Sequence, residues 1–352
     1  MKDKKIKVLV VDDSAYIRAL LTEILNSDSR LTVVASAADP YEARELIKKH
    51  NPQVLTLDIE MPKMNGIAFL KNLMRLRPMP VVMISTLTQE GAPSTLEALE
   101  LGAVDFLAKP GADGEGDLEY YANLIIEKVI NASQANMSAR ERSKDREEKS
   151  VQEFSDIKGK HLSPMFICGI GASTGGTEAI KSVVTRLPER SPPVVVTQHI
   201  PGAFSTSFAR RVDACSRVNV YEASHNQTIE AGNVYIAPGD SHLRVSKHGG
   251  RYVCVLNKEA PVHRHRPSVS VLFDSILESA GNNAMGILLT GMGADGADAL
   301  LRMKQASCFT VVQDEATSVV WGMPGAAVKL GAAEKIMPLT KIAGSIINQA
   351  YK

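Results

Sequence analysis

Along the first 130 residues, short unbroken apolar runs alternate with sets of apolar residues at helical spacing. Ile6–Val11 is an apolar run with one lysine, followed by Asp12, Asp13 and Ser14; Ile17, Leu20, Leu21, Ile24 and Leu25 then mark one helix face. Residues 31–35 predict a second strand, and Asp39 with Pro40 behind it opens a second helix. Further strands are predicted over residues 54–57, ending at Asp58, over 81–84, ending at Ser85, and over 104–107, leading to Lys109 and Pro110. Five strands joined by helices point to a doubly wound, five-stranded parallel sheet, in which ligands bind beyond the carboxyl ends of the strands.

From residue 164 the pattern starts again. Residues 165–170 predict a strand, and the small-residue turn Gly171-Ala172-Ser173-Thr174-Gly175-Gly176 leads into a helix to about residue 187. Val194–Gln198 predicts a strand ending at His199. Residues 242–246 and 252–256 flank Lys247-His248-Gly249-Gly250 as an antiparallel hairpin. Residues 284–289 form another strand before Thr290-Gly291-Met292-Gly293-Ala294-Asp295-Gly296 and a helix to about residue 305; Phe309–Gln313 is one more. The fold expected here is α/β, mainly parallel, with a β-hairpin.

Between these blocks, residues 131–163 mix both charge signs with few large apolar residues. Such a segment buries too little surface to offset its ordering entropy and predicts a flexible or partly helical linker. The expected organisation is a domain over 1–130, a linker over 131–163 and a second domain over 164–352.

Composition changes this picture mainly by exclusion. The 352 residues carry a formal net charge of +1 and are 44% hydrophobic, which suits a globular chain. That balance argues against a nucleic-acid binder, whose output domain would need a helix-turn-helix and a basic face. No apolar run approaches the roughly 18 residues of a membrane span, and the lysine-rich start predicts no signal peptide. Four scattered cysteines without a CxxC pair argue against zinc and disulfides and fit a reducing, cytoplasmic setting. The +1 is a sum of unlike parts: residues 1–130 hold 15 basic and 19 acidic side chains, whereas residues 164–352 hold 18 and 14.

Part of the acidic excess has chemical meaning. Asp12, Asp13 and Asp58 would meet Ser85 and Lys109 at the carboxyl edge of the first sheet. Three clustered carboxylates repel unless a cation neutralises them, and hard oxygen ligands suit Mg2+. An aspartate so neutralised can attack phosphorus while the lysine holds phosphoryl oxygens. A single aspartate after a strand reads as a cap or turn residue; five polar residues at four strand ends read as a site.

Val10-Val11-Asp12-Asp13-Ser14, Asp58-Ile59-Glu60-Met61-Pro62-Lys63-Met64-Asn65-Gly66, Ser85-Thr86 and Lys109-Pro110 resemble the two-component receiver domain over its full length. The resemblance implies that Asp58 is the phosphoacceptor, Asp12 and Asp13 with Asp58 the Mg2+ residues, Ser85 the switch hydroxyl and Phe106 the switch aromatic, with Lys109 nearby. Asn65 stands where many receivers have aspartate, at a turn position.

In the second block, Gly171-x-Ser173-x-Gly175 between strand and helix fits a nucleophile elbow. His199 and Asp295 also follow strands, so all three would reach one sheet edge as nucleophile, base and orienting acid, with the Met292 amide as an oxyanion donor. Other readings stay open on these residues alone. Ser173 serves equally as a helix N-cap and His199 as a core or turn histidine. Gly291-x-Gly293-x-x-Gly296, with Asp314 ending the next strand, matches a dinucleotide fingerprint and predicts an oxidoreductase, although Asp295 would set a carboxylate near the pyrophosphate. His263-Arg264-His265-Arg266 lacks the ligands to complete a metal site and reads as a surface or substrate-contacting segment.

Longer strings bear on that choice: Gly169-Ile-Gly-Ala-Ser-Thr-Gly-Gly176, Gln198-His199-Ile200-Pro201, Ala237-Pro238-Gly239, His265-Arg266-Pro267-Ser268, Leu289 through Gly296, and Gly322-Met323-Pro324. With the receiver-like block, they make the chain similar to the chemotaxis-receptor methylesterase family over nearly all residues outside the linker. The resemblance implies a cytoplasmic, phosphorylation-activated hydrolase that demethylates glutamate esters and deamidates glutamines on methyl-accepting chemotaxis receptors. It implies the triad Ser173, His199 and Asp295, an oxyanion region lined by Thr174 and Met292, and a chemotaxis histidine kinase as phosphodonor. Mg2+ would serve the receiver block, and the ester chemistry would need no cofactor.

Overall fold

The computed structural model describes residues 5–85, 91–109, 118–137 and 161–351. Thr86 and Pro110, both part of the receiver-like strings, and residues 138–160 of the expected linker lie outside the described residues. The chain divides into two compact units, Met1–Met137 and Ser138–Lys352.

The first unit alternates β1 (Ile6–Val11), α1 (Ala15–Ser27), β2 (Leu31–Ala37), α2 (Pro40–His50), β3 (Val54–Asp58), α3 (Gly66–Leu76), β4 (Val81–Ser85), α4 (Ala92–Leu101), β5 (Asp105–Ala108) and α5 (Leu118–Ser133). The five strands pair in parallel in the order β2-β1-β3-β4-β5. Helices cover such a sheet on both faces, so β3 and β4 are buried at every position and read as unbroken apolar runs. Polar caps set the helix starts. Ser14 Oγ accepts the Ile17 N–H, Asp39 accepts those of Tyr41 and Glu42, and Asn65 accepts that of Ala68. The strand order reverses between β1 and β3, which opens a crevice beyond their carboxyl ends.

The second unit holds β6 (Ile167–Ala172), α6 (Gly176–Val184), β7 (Val194–Gln198), α7 (Gly202–Asp213), β8 (Asn219–Glu222), β9 (Thr228–Ile229), β10 (Asn233–Ile236), β11 (His242–His248) and β12 (Arg251–Asn257). It continues through α8 (Val269–Ala280), β13 (Ala284–Leu288), α9 (Ala297–Gln305), β14 (Phe309–Gln313), α10 (Met323–Lys329), β15 (Lys335–Met337) and α11 (Leu339–Ala350). Seven strands make a parallel sheet in the order β15-β14-β13-β6-β7-β10-β8. The hairpin β11-β12 gains β9 as a third antiparallel strand, and α8 packs against β11.

Two expectations move here. The hairpin turn is Gly249-Gly250 alone, with both residues at positive φ (54° and 82°), so β11 extends through Lys247 and His248. A two-residue turn of that hand matches the strand twist and favours glycine at both places. The first strand of this unit runs to Ala172 rather than residue 170. Glycine is depleted in strands, which hides the extension in the sequence. Here bare backbone is required: a Cβ on Gly169 would stand 2.6 Å from Ile276 Cδ1, and one on Gly171 would strike Val269, both on α8. The short strands β8, β9, β10 and β15 carry too few alternating residues to announce themselves.

Among the described residues, no helix is long and apolar enough to cross a membrane. All four cysteines are free thiols, three of them buried.

Candidate active site

At the crevice of the first sheet, Asp12 and Asp13 follow β1 and Asp58 ends β3. One carboxylate oxygen from each lies within 4.8 Å of the others. Asp12 and Asp58 are buried and Asp13 is exposed. Asp12 Oδ1 accepts the Ser14 N–H (2.9 Å), and Arg18 donates to the Asp12 and Asp13 carbonyls. Lys109, just after β5, places Nζ 2.7 Å from Asp58 Oδ2 and 2.9 Å from Asp12 Oδ2.

One ammonium does not balance three carboxylates. Burial pushes the Asp58 carboxyl up to about 6; the Lys109 hydrogen bond opposes that and the Asp12 charge adds to it. Burial would lower the Lys109 pKa, but its bonds to Asp58 and Asp12 hold it above the usual value. The donor set of oxygens alone, with surplus negative charge, fits a small hard cation. Ser85 ends β4 with its side chain buried, next to β3 in the sheet, and its carbonyl accepts the Lys109 N–H (2.8 Å). Phe106 is buried within β5.

At the second sheet's edge, the chain leaves β6 into the turn Ser173–Gly176. Its geometry comes from neighbours on both sides. Ser173 N–H donates to Thr290 O (3.0 Å), and Ser173 O accepts from Gly176 N–H and from Gln198 Nε2 (2.9 Å). The residue that caps α6 is Gly175, at φ 75°, so Ser173 is not the helix cap. Gly291 lies against the serine: a Cβ there would come within 2.8 Å of Ser173 Cβ and 2.9 Å of Ser173 N. Only glycine lets these two loops approach so closely.

The strand order places the partners. β6 lies between β13 and β7, so the loops after these three strands meet at one point, where the order reverses. Ser173 Oγ is 3.1 Å from His199 Nδ1, and His199 Nε2 is 2.9 Å from Asp295 Oδ2. A carboxylate oxygen only accepts, so Nε2 carries the ring proton. The Nδ1 lone pair then faces the serine hydroxyl, as a general base requires.

Asp295 is 2% exposed and fully committed. Its Oδ2 also accepts the Val269 N–H (2.7 Å), and its Oδ1 accepts from Ser268 Oγ (2.9 Å) and the Ser270 N–H (3.0 Å). Ser270 Oγ returns a bond by accepting the Gly296 N–H (2.9 Å). The carboxylate thus caps α8 from a distant loop, at the positive end of that helix. Burial alone would raise its pKa, but the hydrogen bonds from His199 and from the α8 donors hold it well below the usual carboxylate range.

Thr174 is buried beside the serine, and its carbonyl accepts from Thr290 Oγ1 (3.0 Å); Met292 is half-buried in the loop whose Thr290 and Gly291 touch Ser173. Several residues that hold the site carry no local signal. Ser268 and Ser270 become visible only through Asp295. In the segment expected to be at the surface or to contact substrate, His263, Arg264 and Arg266 are exposed, while His265 is half-buried and stacked on His199, with ring centroids 3.7 Å apart and planes 14° apart. The dinucleotide fingerprint is used up internally: its loop is filled by Asp295, and Asp314 Oδ1 accepts from Thr317 N–H (3.0 Å) and Oγ1 (2.6 Å) as a local turn.

Both units match known protein families. Residues 168–346 match the family model described as CheB methylesterase, and residues 8–117 match the response regulator receiver domain. The chain is 61% identical over 349 residues to a protein-glutamate methylesterase/protein-glutamine glutaminase of Saccharophagus degradans, covering 99% of this chain and 100% of that protein. A protein of the same name from Hahella chejuensis is 53% identical, with 97% and 96% covered. Among solved structures, the Thermotoga maritima CheB methylesterase catalytic domain aligns at a TM-score of 0.51 and 35% identity, covering 52% of this chain and 97% of that one.

Proposed function

The chain belongs to the CheB methylesterase family and carries a receiver domain at its N-terminal end, and from that premise we propose that it is a cytoplasmic, phosphorylation-activated protein-glutamate methylesterase and protein-glutamine glutaminase. Its substrates are methyl-accepting chemotaxis receptors, its phosphodonor is a chemotaxis histidine kinase, and the outcome is sensory adaptation. The receiver occupies residues 1–130, the linker 131–163 and the catalytic domain 164–352.

The observation that carries this reading is the hydrogen-bonded chain from Ser173 through His199 to Asp295. His199 Nδ1 takes the hydroxyl proton as Ser173 Oγ attacks the γ-carbonyl of a methylated glutamate or a glutamine. Asp295 holds the ring by Nε2 and stabilises the imidazolium that forms. Backbone donors of the Thr174 and Met292 loops receive the developing oxyanion. The protonated Nδ1 then passes its proton to the leaving methanol or ammonia. Water, deprotonated by the same nitrogen, releases Ser173 and a glutamate.

In the receiver, Asp12, Asp13 and Asp58 would hold Mg2+, which would supply positive charge to the carboxylates and to incoming phosphoryl oxygens. Asp58 is the phosphoacceptor and Lys109 binds a phosphoryl oxygen, while Ser85 and Phe106 carry the change of state through the domain. Methanol release from methylated receptors tests the whole reading. A small-molecule phosphodonor is expected to raise the rate of the wild type and leave Asp58→Asn at its basal rate. An undiminished response in Asp58→Asn would separate activation from this aspartate.

The Asp58 carboxyl also makes the cation's effect depend on pH. Its folded pKa of about 6 lies above the ordinary 3.8. The stability gained from its proton is therefore complete below the ordinary value and lost as pH rises through 6. Above 6 the ionised cluster gains most from a cation. Mg2+ at ten times Kd is expected to stabilise the protein by about 1.4 kcal/mol at pH 8. The shift at pH 5 is expected to be clearly smaller, measured by thermal melting. Equal shifts at both pH values would argue against ligation through Asp58.

A further inference from the structure

His242 opens β11 and is the one histidine of the eight with no exposed surface. Both of its ring nitrogens meet backbone groups whose roles are unambiguous. The Ser268 N–H donates to Nδ1 (3.2 Å), and Nε2 lies 3.1 Å from the Ala260 carbonyl oxygen. An N–H only donates and a carbonyl only accepts, so the ring is neutral, with its proton on Nε2.

The two partners stand at the two ends of one segment. Residues 260–268 contain no helix or strand and fold back through paired bonds between Val262 and His265, with His263 and Arg264 at positive φ. This segment delivers two contacts to the catalytic chain. His265 stacks on the ring of His199, and Ser268 Oγ donates to Asp295 Oδ1. Irregular backbone gains its shape from the groups that tie it down, and His242 ties both ends.

We propose that His242 is a positioning residue for the hydrolytic reaction: its imidazole clamps the 260–268 segment, holding His265 on the base and Ser268 on the orienting acid. His242 touches neither substrate nor reacting atoms. It acts through Ser268, whose buried N–H would otherwise lose its acceptor at the residue that binds Asp295. The inference rests on the serine-hydrolase reading above.

Two substitutions separate the ends of the clamp. In His242→Asn, Oδ1 stands near the place of Nδ1 and accepts from Ser268. In His242→Gln, Nε2 reaches the Ala260 carbonyl and leaves Ser268 unserved. Methanol release by the full chain from methylated receptors is expected to keep kcat within about threefold in His242→Asn. In His242→Gln, kcat is expected to fall about tenfold, the scale of a small misplacement of reacting groups. KM should stay unchanged in both. A role limited to stability would lower both melting temperatures without separating the two kcat values, so equal kcat in the two variants overturns the proposal. So does an effect carried by KM. Should either variant fail to fold, histidine-selective 15N spectra of the wild type decide the matter: an unprotonated Nδ1 on His242 is expected, and a proton there overturns the clamp. Ser173→Ala distinguishes the two levels. Continued turnover in that variant removes the hydrolase reading itself, whereas an inactive Ser173→Ala beside a fully active His242→Gln removes only the clamp.

Discussion

Replacement of Ser173 by alanine is expected to cut methanol release from methylated receptors by a factor on the order of 10^4 or more, while receptor binding persists. The hydroxyl lies 3.1 Å from His199 Nδ1. Backbone bonds from Ser173 to Thr290 and Gly176 hold the turn, and these do not involve the side chain. The variant should therefore fold and melt close to wild type, so that the lost rate reports chemistry. Its residual activity would measure what oxyanion donors and binding supply alone. Turnover within tenfold of wild type would remove Ser173 as nucleophile.

Asp295→Asn is expected to lower kcat by roughly 10^4 and to weaken the fold by about 1–3 kcal/mol. The cause is a conflict of donors. Four groups donate to this carboxylate: His199 Nε2, the Val269 N–H, Ser268 Oγ and the Ser270 N–H. An amide turns one oxygen into a donor. If the amide nitrogen takes the place of Oδ2, the imidazole is driven into the other tautomer, Nδ1 ceases to be a base and the Val269 N–H loses its acceptor as well. If it takes the place of Oδ1, the Ser270 N–H loses its acceptor while His199 keeps an oxygen. Melting temperature falls in either orientation, so the rate distinguishes them, and a variant within tenfold of wild type in kcat would exclude Asp295 as the orienting group. The wild-type carboxyl is held below its usual range. Its contribution to stability is thus complete above the ordinary carboxylate pKa and lost only as pH falls toward the depressed folded value.

The parts of this protein written in short spans of chain were open to reading. Strand β1 and its two aspartates, the Asp39 cap, and the buried runs of β3, β4, β7 and β14 all follow from residues within a turn or two of each other. The Ser173 elbow was legible as a pattern but not distinguishable from a helix cap. What separates the two is Gly175, which takes the cap position, and His199, which stands 26 residues away. Glycines misled in both directions. Gly171 shortened a strand that needs it, with Gly169, for contact with α8, and the glycines of the 291–296 loop imitated a dinucleotide site.

The sequence by itself determined which chemical groups are present and that each follows a strand: three aspartates and a lysine in one unit, and a serine, a histidine and an aspartate in the other. Hydrophobic periodicity and local capping suffice for that, because both act over a few residues. Only the tertiary structure decided how those groups face each other. The order β13-β6-β7 brings residues 173, 199 and 295 together; the donors of α8 keep Asp295 ionised and aimed at Nε2. His265 reaches His199 through a segment that His242 ties at both ends. Orientation to within an ångström depends on contacts between residues tens of positions apart, and such contacts leave no periodic trace along the chain.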